Sequence, residues 1–206
     1  MTDRTGTLGV ILAGGGSRRF GMPKDTAILG GIPLLQHVVA RARPQVARLA
    51  LSVGAADVAN AQLPVIRDHA PGEGPLAGIL AALENAAAEG FAFVATFPCD
   101  APFFPANLID HLRSGMQDGV DCTMARRGKD CHYVFGLWRT SCLPRLQAAF
   151  ALGARSMRKL GDTLECCYVD FPLQGDGPDG NAFFNINRPD DLAAAEAWLK
   201  QLRASS

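Results

Sequence analysis

Two short stretches hold the residues best suited to chemistry. The first is Leu12-Ala13-Gly14-Gly15-Gly16-Ser17-Arg18-Arg19-Phe20-Gly21-Met22-Pro23-Lys24. Consecutive glycines let backbone approach a ligand closely and turn N–H groups toward an anion, and Arg18, Arg19 and Lys24 concentrate positive charge in the same loop. Such a loop suits phosphates. Its plain alternative is a glycine-rich turn with solvated cations, which does not explain why the cations cluster where an apolar strand ends. The second stretch is Pro98-Cys99-Asp100-Ala101-Pro102, which closes the apolar run 91–97. A carboxylate leaving a strand end is placed to bind Mg²⁺ together with phosphate oxygens. Asp100 is therefore the expected metal ligand. Helix capping is its competing role, but the next helix-start signal is Pro105, several residues on. Cys99 has no base beside it in sequence and would form its thiolate next to a carboxylate, so it is read as packing.

Known phosphate motifs narrow the chemistry. Gly16 and Gly21 have Walker A spacing, but Met22 stands where that loop needs lysine. Gly14 and Gly16 fit a dinucleotide finger, but Arg19 replaces its third glycine and Ser52-Val53-Gly54 follows the second strand where an acid belongs. Neither an ATPase nor a dehydrogenase is favoured.

These stretches need elements to hold them. Apolar runs at 9–12, 49–53, 64–66, 91–97 and 166–171 read as strands; the first four are nearly continuous, as strands covered on both faces are. Pro33, Pro75, Pro105 and Pro189 are expected at first helical positions, before helices over 34–43, 76–88, 106–116 and 190–202. Strand, loop and helix in repetition imply crossover units: an α/β chain with a mainly parallel sheet and helices on both sides. Ligands in such folds sit beyond the carboxyl ends of the strands, where both stretches lie. Residues 174–181 read as an exposed loop.

Composition bounds the rest. A chain of 206 residues, 48% apolar, is expected to bury a core without disulfides or a structural metal, as one domain spanning 1–206. Its 20 Lys+Arg match 20 Asp+Glu, which argues against general nucleic-acid or anionic-membrane binding. No apolar run approaches the roughly 18 residues of a membrane span, and Met1–Thr7 carries no signal-peptide pattern, so a cytoplasmic location is expected. The six cysteines contain no C-x-x-C pair and are expected to be free and mostly buried; no zinc site is expected. His37 and His111 read as partly buried helix residues, and Trp138 and Trp198 as core or interface aromatics. His69 follows Asp68 and is near it by sequence alone. Arg155, Arg158 and Lys159 read as a solvated face, with binding of an anionic acceptor as the alternative.

Several segments together resemble the molybdenum-cofactor guanylyltransferases of the MobA family. They are the loop above, Asp68 followed by Gly74-Pro75-Leu76-Ala77-Gly78, then Pro98-Cys99-Asp100 with Pro102, then Phe184-Asn185-Ile186-Asn187-Arg188-Pro189-Asp190-Asp191-Leu192. The resemblance implies a three-layer α/β/α Rossmann-like nucleotidyltransferase fold with a mainly parallel mixed sheet. It implies Mg²⁺-dependent transfer of GMP from GTP to the phosphate of molybdopterin, with Lys24 and Asp100 catalytic. Leu12, Ala13, Gly14 and Gly15 would contact the nucleotide, Lys24 its phosphates, Asp68 the nucleoside end, and Asp100 both nucleotide and metal. Arg19, Asn185 and Asn187 would lie on the pterin side. Protein partners of the implied class are molybdoenzyme chaperones and cofactor-synthesis proteins. The chain departs from the family pattern at Pro23 before Lys24, at Ser52 where an Asn is common, and at His132-Tyr133 in place of a His-Pro pair. A nucleotidyltransferase using CTP, such as a molybdopterin cytidylyltransferase, or one acting on a sugar phosphate, is the nearest rival. A noncatalytic nucleotide-binding regulator is the rival from another class.

Overall fold

The computed structural model describes residues 6–13, 27–54, 63–68 and 73–204. In chain order its main elements are β1 (Thr7–Leu12), β2 (Ile28–Leu29), β3 (Ile32–Pro33), α1 (Leu34–Ala42), β4 (Arg48–Val53), β5 (Val65–Arg67), α2 (Pro75–Ala88), β6 (Phe93–Pro98), α3 (Leu108–Ser114), β7 (Cys122–Arg127), β8 (Asp130–Arg139), α4 (Leu143–Ala151), β9 (Cys166–Phe171) and α5 (Pro189–Ala204). Seven strands form one mixed sheet in the order β5-β4-β1-β6-β8-β7-β9. The first four of that order are parallel; β8 runs antiparallel to β6 and β7, and β9 parallel to β7. This is the expected mainly parallel sheet, and β6, the strand that delivers Asp100, is its middle strand.

Alternation along the strands divides the core between two faces. Leu8, Val10 and Leu12 of β1 point toward α2 and α4, while Ile11 points with Leu49, Leu51, Val53, Ala95 and Phe97 toward α1 and α3. Gly9 faces the α1 side as well, where a Cβ would come within 2.8 Å of Val46, so close packing of the strand there requires glycine. Between β7 and β8 the register jumps: Met124 pairs with Gly136 but Ala125 with His132. The extra residues form a bulge, which the hydroxyl of Thr96 secures by donating to the Val134 carbonyl at 2.7 Å. Trp138, fully buried, donates its indole N–H to the same hydroxyl at 3.1 Å.

Several sequence expectations change in detail. Pro75 and Pro189 do open their helices, but Pro33 is the residue before α1 and closes β3. Pro105 does not start a helix; α3 begins at Leu108 after a turn in which the Leu108 N–H donates to the Pro105 carbonyl at 3.1 Å. The six cysteines are free, but only Cys122 and Cys142 are buried and the other four are half-buried. Cys166 and Cys167 lie on the edge strand β9, where cover is incomplete, Cys131 lies near the start of β8, and Cys99 lies in the loop after β6. Gly30 and Gly31, both with positive φ, make a two-residue turn joining β2 to β3, a hairpin that the sequence reading passed over. That hairpin packs on α5 around Leu29, Ile186 and Trp198 as a small third cluster. Among the described residues no helix is long and apolar enough to cross a membrane.

Candidate functional site

The parallel strands bring their carboxyl ends to one edge. Leu12 stands level with Ser52 on one side and Pro98 on the other. Past the strand ends the backbone stays joined: the Ala13 N–H donates to Ser52 O at 2.9 Å, Asp68 N–H to Val53 O at 3.0 Å, and Cys99 N–H to Leu12 O at 3.4 Å. Leu12, Ala13, Ser52, Asp68 and the start of the Asp100 loop therefore share one rim. Asp68 and Asp100 are both half-buried there.

The first turn of α2 lies over the same rim. Gly74, at φ 82°, turns the chain into the helix with no side-chain cap, and Pro75 takes the first position, where its missing N–H costs nothing. At Gly78 a Cβ would stand 3.0 Å from the Ser52 hydroxyl and 3.3 Å from Leu12, so the bare glycine is what lets α2 approach β1 and β4. The ion pair of Arg155 with Glu73 ties the basic segment 155–159 to the chain just before α2. Arg155 also lies over the Phe150 ring, 3.9 Å from its centroid, so its charge is engaged within the fold; Arg158 and Lys159 are exposed.

On the other side of Asp100 comes the segment containing Asn185 and Asn187. Phe183 is buried in the α1–α3 core against Phe135 and Phe171, with ring centroids 5.1 Å and 5.2 Å away, and Ile186 is buried in the cluster under α5. Asn185 and Asn187, flanking Ile186, are exposed by alternation. Asp191 accepts the N–H groups of Asn187 and Arg188, each at 2.8 Å, which caps α5 at its start and fixes the end of the segment. The decisive link is the Ile186 N–H, which donates to the carbonyl of Asp100 at 2.8 Å. Residues 86 positions apart in sequence are thereby joined at one rim.

Leu12, Ala13, Asp68, Asp100, Asn185 and Asn187 are thus gathered along a continuous edge. Gly14, Gly15, Arg19 and Lys24 lie outside the described residues. Among the described residues no three His, Cys, Asp or Glu side chains form a metal cluster. A single carboxylate at the end of the middle strand suits a Mg²⁺ that draws its remaining ligands from phosphates and water. His132, the histidine of the His132-Tyr133 pair, stacks its ring on Phe183 with centroids 4.5 Å apart and planes at 22°. Burial lowers its imidazole pKa, Asp130 partly offsets this, and Arg127 adds to the fall. His37 and His111 are partly buried as expected; the first bonds the Leu29 carbonyl at 2.7 Å and the second lies against Phe171.

Residues 9–167 match the family described as the MobA-like NTP transferase domain. A molybdenum cofactor guanylyltransferase of Rhizobium leguminosarum bv. trifolii is 41% identical over 207 residues, 98% of this chain and 97% of that protein. One of Rhizobium meliloti is 41% identical over 201 residues, 94% of this chain and 92% of its own length. The crystal structure of molybdopterin-guanine dinucleotide biosynthesis protein A from Archaeoglobus fulgidus superposes with a TM-score of 0.73 at 25% identity, covering 95% of this chain and 99% of the other.

Proposed function

We propose, since this chain belongs to the MobA-like NTP transferase family and is a nucleotidyltransferase, that it transfers GMP from GTP to the terminal phosphate of molybdopterin. A phosphate oxygen of the acceptor attacks the α-phosphorus, the bond to the bridging oxygen breaks, and pyrophosphate leaves with the electron pair. The new linkage is the diphosphate of molybdopterin guanine dinucleotide. The attacking oxygen is already an anion near neutral pH, so no general base is required, and rate comes from alignment and charge neutralisation.

The observation that supports this reading best is the main-chain hydrogen bond from Ile186 to Asp100, which joins the segment carrying Asn185 and Asn187 to the residue that follows the middle strand. Leu12, Ala13, Gly14 and Gly15 would cradle the nucleotide, Asp68 would meet its nucleoside end, and Lys24 would neutralise the phosphates. Asp100 would hold Mg²⁺, which when bound supplies positive charge to the triphosphate. Arg19, Asn185 and Asn187 would orient the acceptor. Pro23 ahead of Lys24 is the feature that favours a CTP-using relative. Incubating the protein with Mg²⁺, molybdopterin and GTP, CTP or ATP in turn, and weighing the products, tests both readings. The expected result is the guanine dinucleotide with release of pyrophosphate; a clear preference for CTP would replace the guanylyl reading with the cytidylyl one.

A further inference from the structure

We propose that His132 is a positioning residue for the acceptor side of the site: stacked on Phe183, its ring sets the 181–187 segment that presents Asn185 and Asn187 beside Asp100. The inference rests on the acceptor-side assignment of those asparagines made above.

The bulge between β7 and β8 aims the ring. Without the extra residues after His132, the strand would stay in the register of Met124 and Gly136. Phe183 receives the ring on one face and the edges of Phe135 and Phe171 elsewhere, so its position is fixed from several sides. The Phe183 N–H donates to the Asn181 side chain at 3.0 Å, and three residues further on Ile186 reaches Asp100. A displacement of Phe183 is therefore passed along a short, anchored piece of chain to both asparagines.

A purely space-filling role does not explain a histidine here. Its Nε2 is buried with no hydrogen-bond partner among the described residues, an arrangement that a phenylalanine would avoid. What the imidazole adds is titration. Protonation would make the buried Nε2 an N–H of a charged ring with no acceptor to meet it, and would expel the ring from its stack. The charged groups acting on the ring are Asp130 on its own strand and Arg127 on β7; residues 181–187 carry none. Nearby, His111 lies against Phe171, and Asp170 of β9 is paired with Arg126.

The test uses amide hydrogen exchange of the full ligand-free chain, compared as protection factors for 183–187 in wild type, His132→Phe and His132→Ala. In wild type, protection should fall about tenfold between roughly pH 7.5 and 5.5, and in His132→Phe, which retains His111, it should stay level. His132→Ala should lose about tenfold at both pH values while β1 and β4 keep wild-type protection. With Mg²⁺-GTP and molybdopterin, His132→Ala should raise the KM for molybdopterin about tenfold and leave that for GTP within about twofold. Equal protection in all three proteins, a wild-type profile that ignores pH, or loss spread evenly over the sheet would overturn the proposal. Should His132→Ala not fold, His132→Phe decides by its pH response. If wild type makes no guanine dinucleotide, the functional reading fails, while the exchange pattern still judges what His132 does.

Discussion

The amide of Ile186 is hydrogen-bonded to the carbonyl of Asp100 at 2.8 Å, and this contact uses Asp100 through its backbone. The main chain of Asp100 thereby anchors the segment that carries Asn185 and Asn187. Asp100→Asn keeps the backbone bond and the side-chain shape, but removes the negative charge. Turnover should fall by at least about a hundredfold while the melting temperature stays near wild type. Steady-state kinetics beside a thermal melt checks this; retention of full kcat would remove Asp100 from the metal role.

Gly78 sets how closely α2 approaches the rim at the ends of β1 and β4. Gly78→Val would drive side-chain atoms onto the Ser52 hydroxyl and Leu12, which both sit at the strand ends. Stability should drop by about 1–3 kcal/mol, and the KM for GTP should rise severalfold as the helix moves away. Denaturant titration and nucleotide kinetics measure the two effects separately.

Trp138 belongs to the fold alone. It is fully buried on the α2–α4 face and its indole N–H bonds Thr96. Trp138→Ala should cost about 3–5 kcal/mol and lower the melting temperature by about 10 °C, with kcat per folded molecule unchanged at a temperature below the melt. A large loss of kcat without a shift in the melt would contradict that assignment.

The buried thiols should be chemically silent. Burial, with the Asp121 carboxylate adding to it, pushes the Cys142 thiol up to about 12. The thiol contact with Cys166, together with burial, raises Cys122 as well. The reactive thiolate gains population only as pH climbs toward the folded pKa, so iodoacetamide at about pH 8 should leave both unlabelled in the native protein and label them after unfolding. Peptide mass mapping reads the result directly.

Much of this fold is legible in the sequence. The apolar runs and the Pro75 and Pro189 helix starts are local signals, because they arise from conformational preference and side-chain periodicity over a few residues. They placed Asp100 correctly at the end of a central strand. Pro105 was misread because a proline can begin a turn as readily as a helix, and local pattern does not separate the two. The Gly30-Gly31 hairpin had a signal in its paired glycines between apolar residues, but its strands are too short for alternation to show.

Other features exist only between distant parts of the chain. Nothing in the neighbourhood of His132 announces that its ring will meet Phe183, since the two come together through a bulge in β8 and the packing of Phe135 and Phe171. The same holds for the approach of Gly78 to Ser52 and for the bond from Ile186 to Asp100. Residue types determined which groups could handle phosphate, because charge and backbone freedom are properties of single residues. Only tertiary packing decided which of them face the same rim, because distance across a sheet is a property of the whole arrangement of strands and helices.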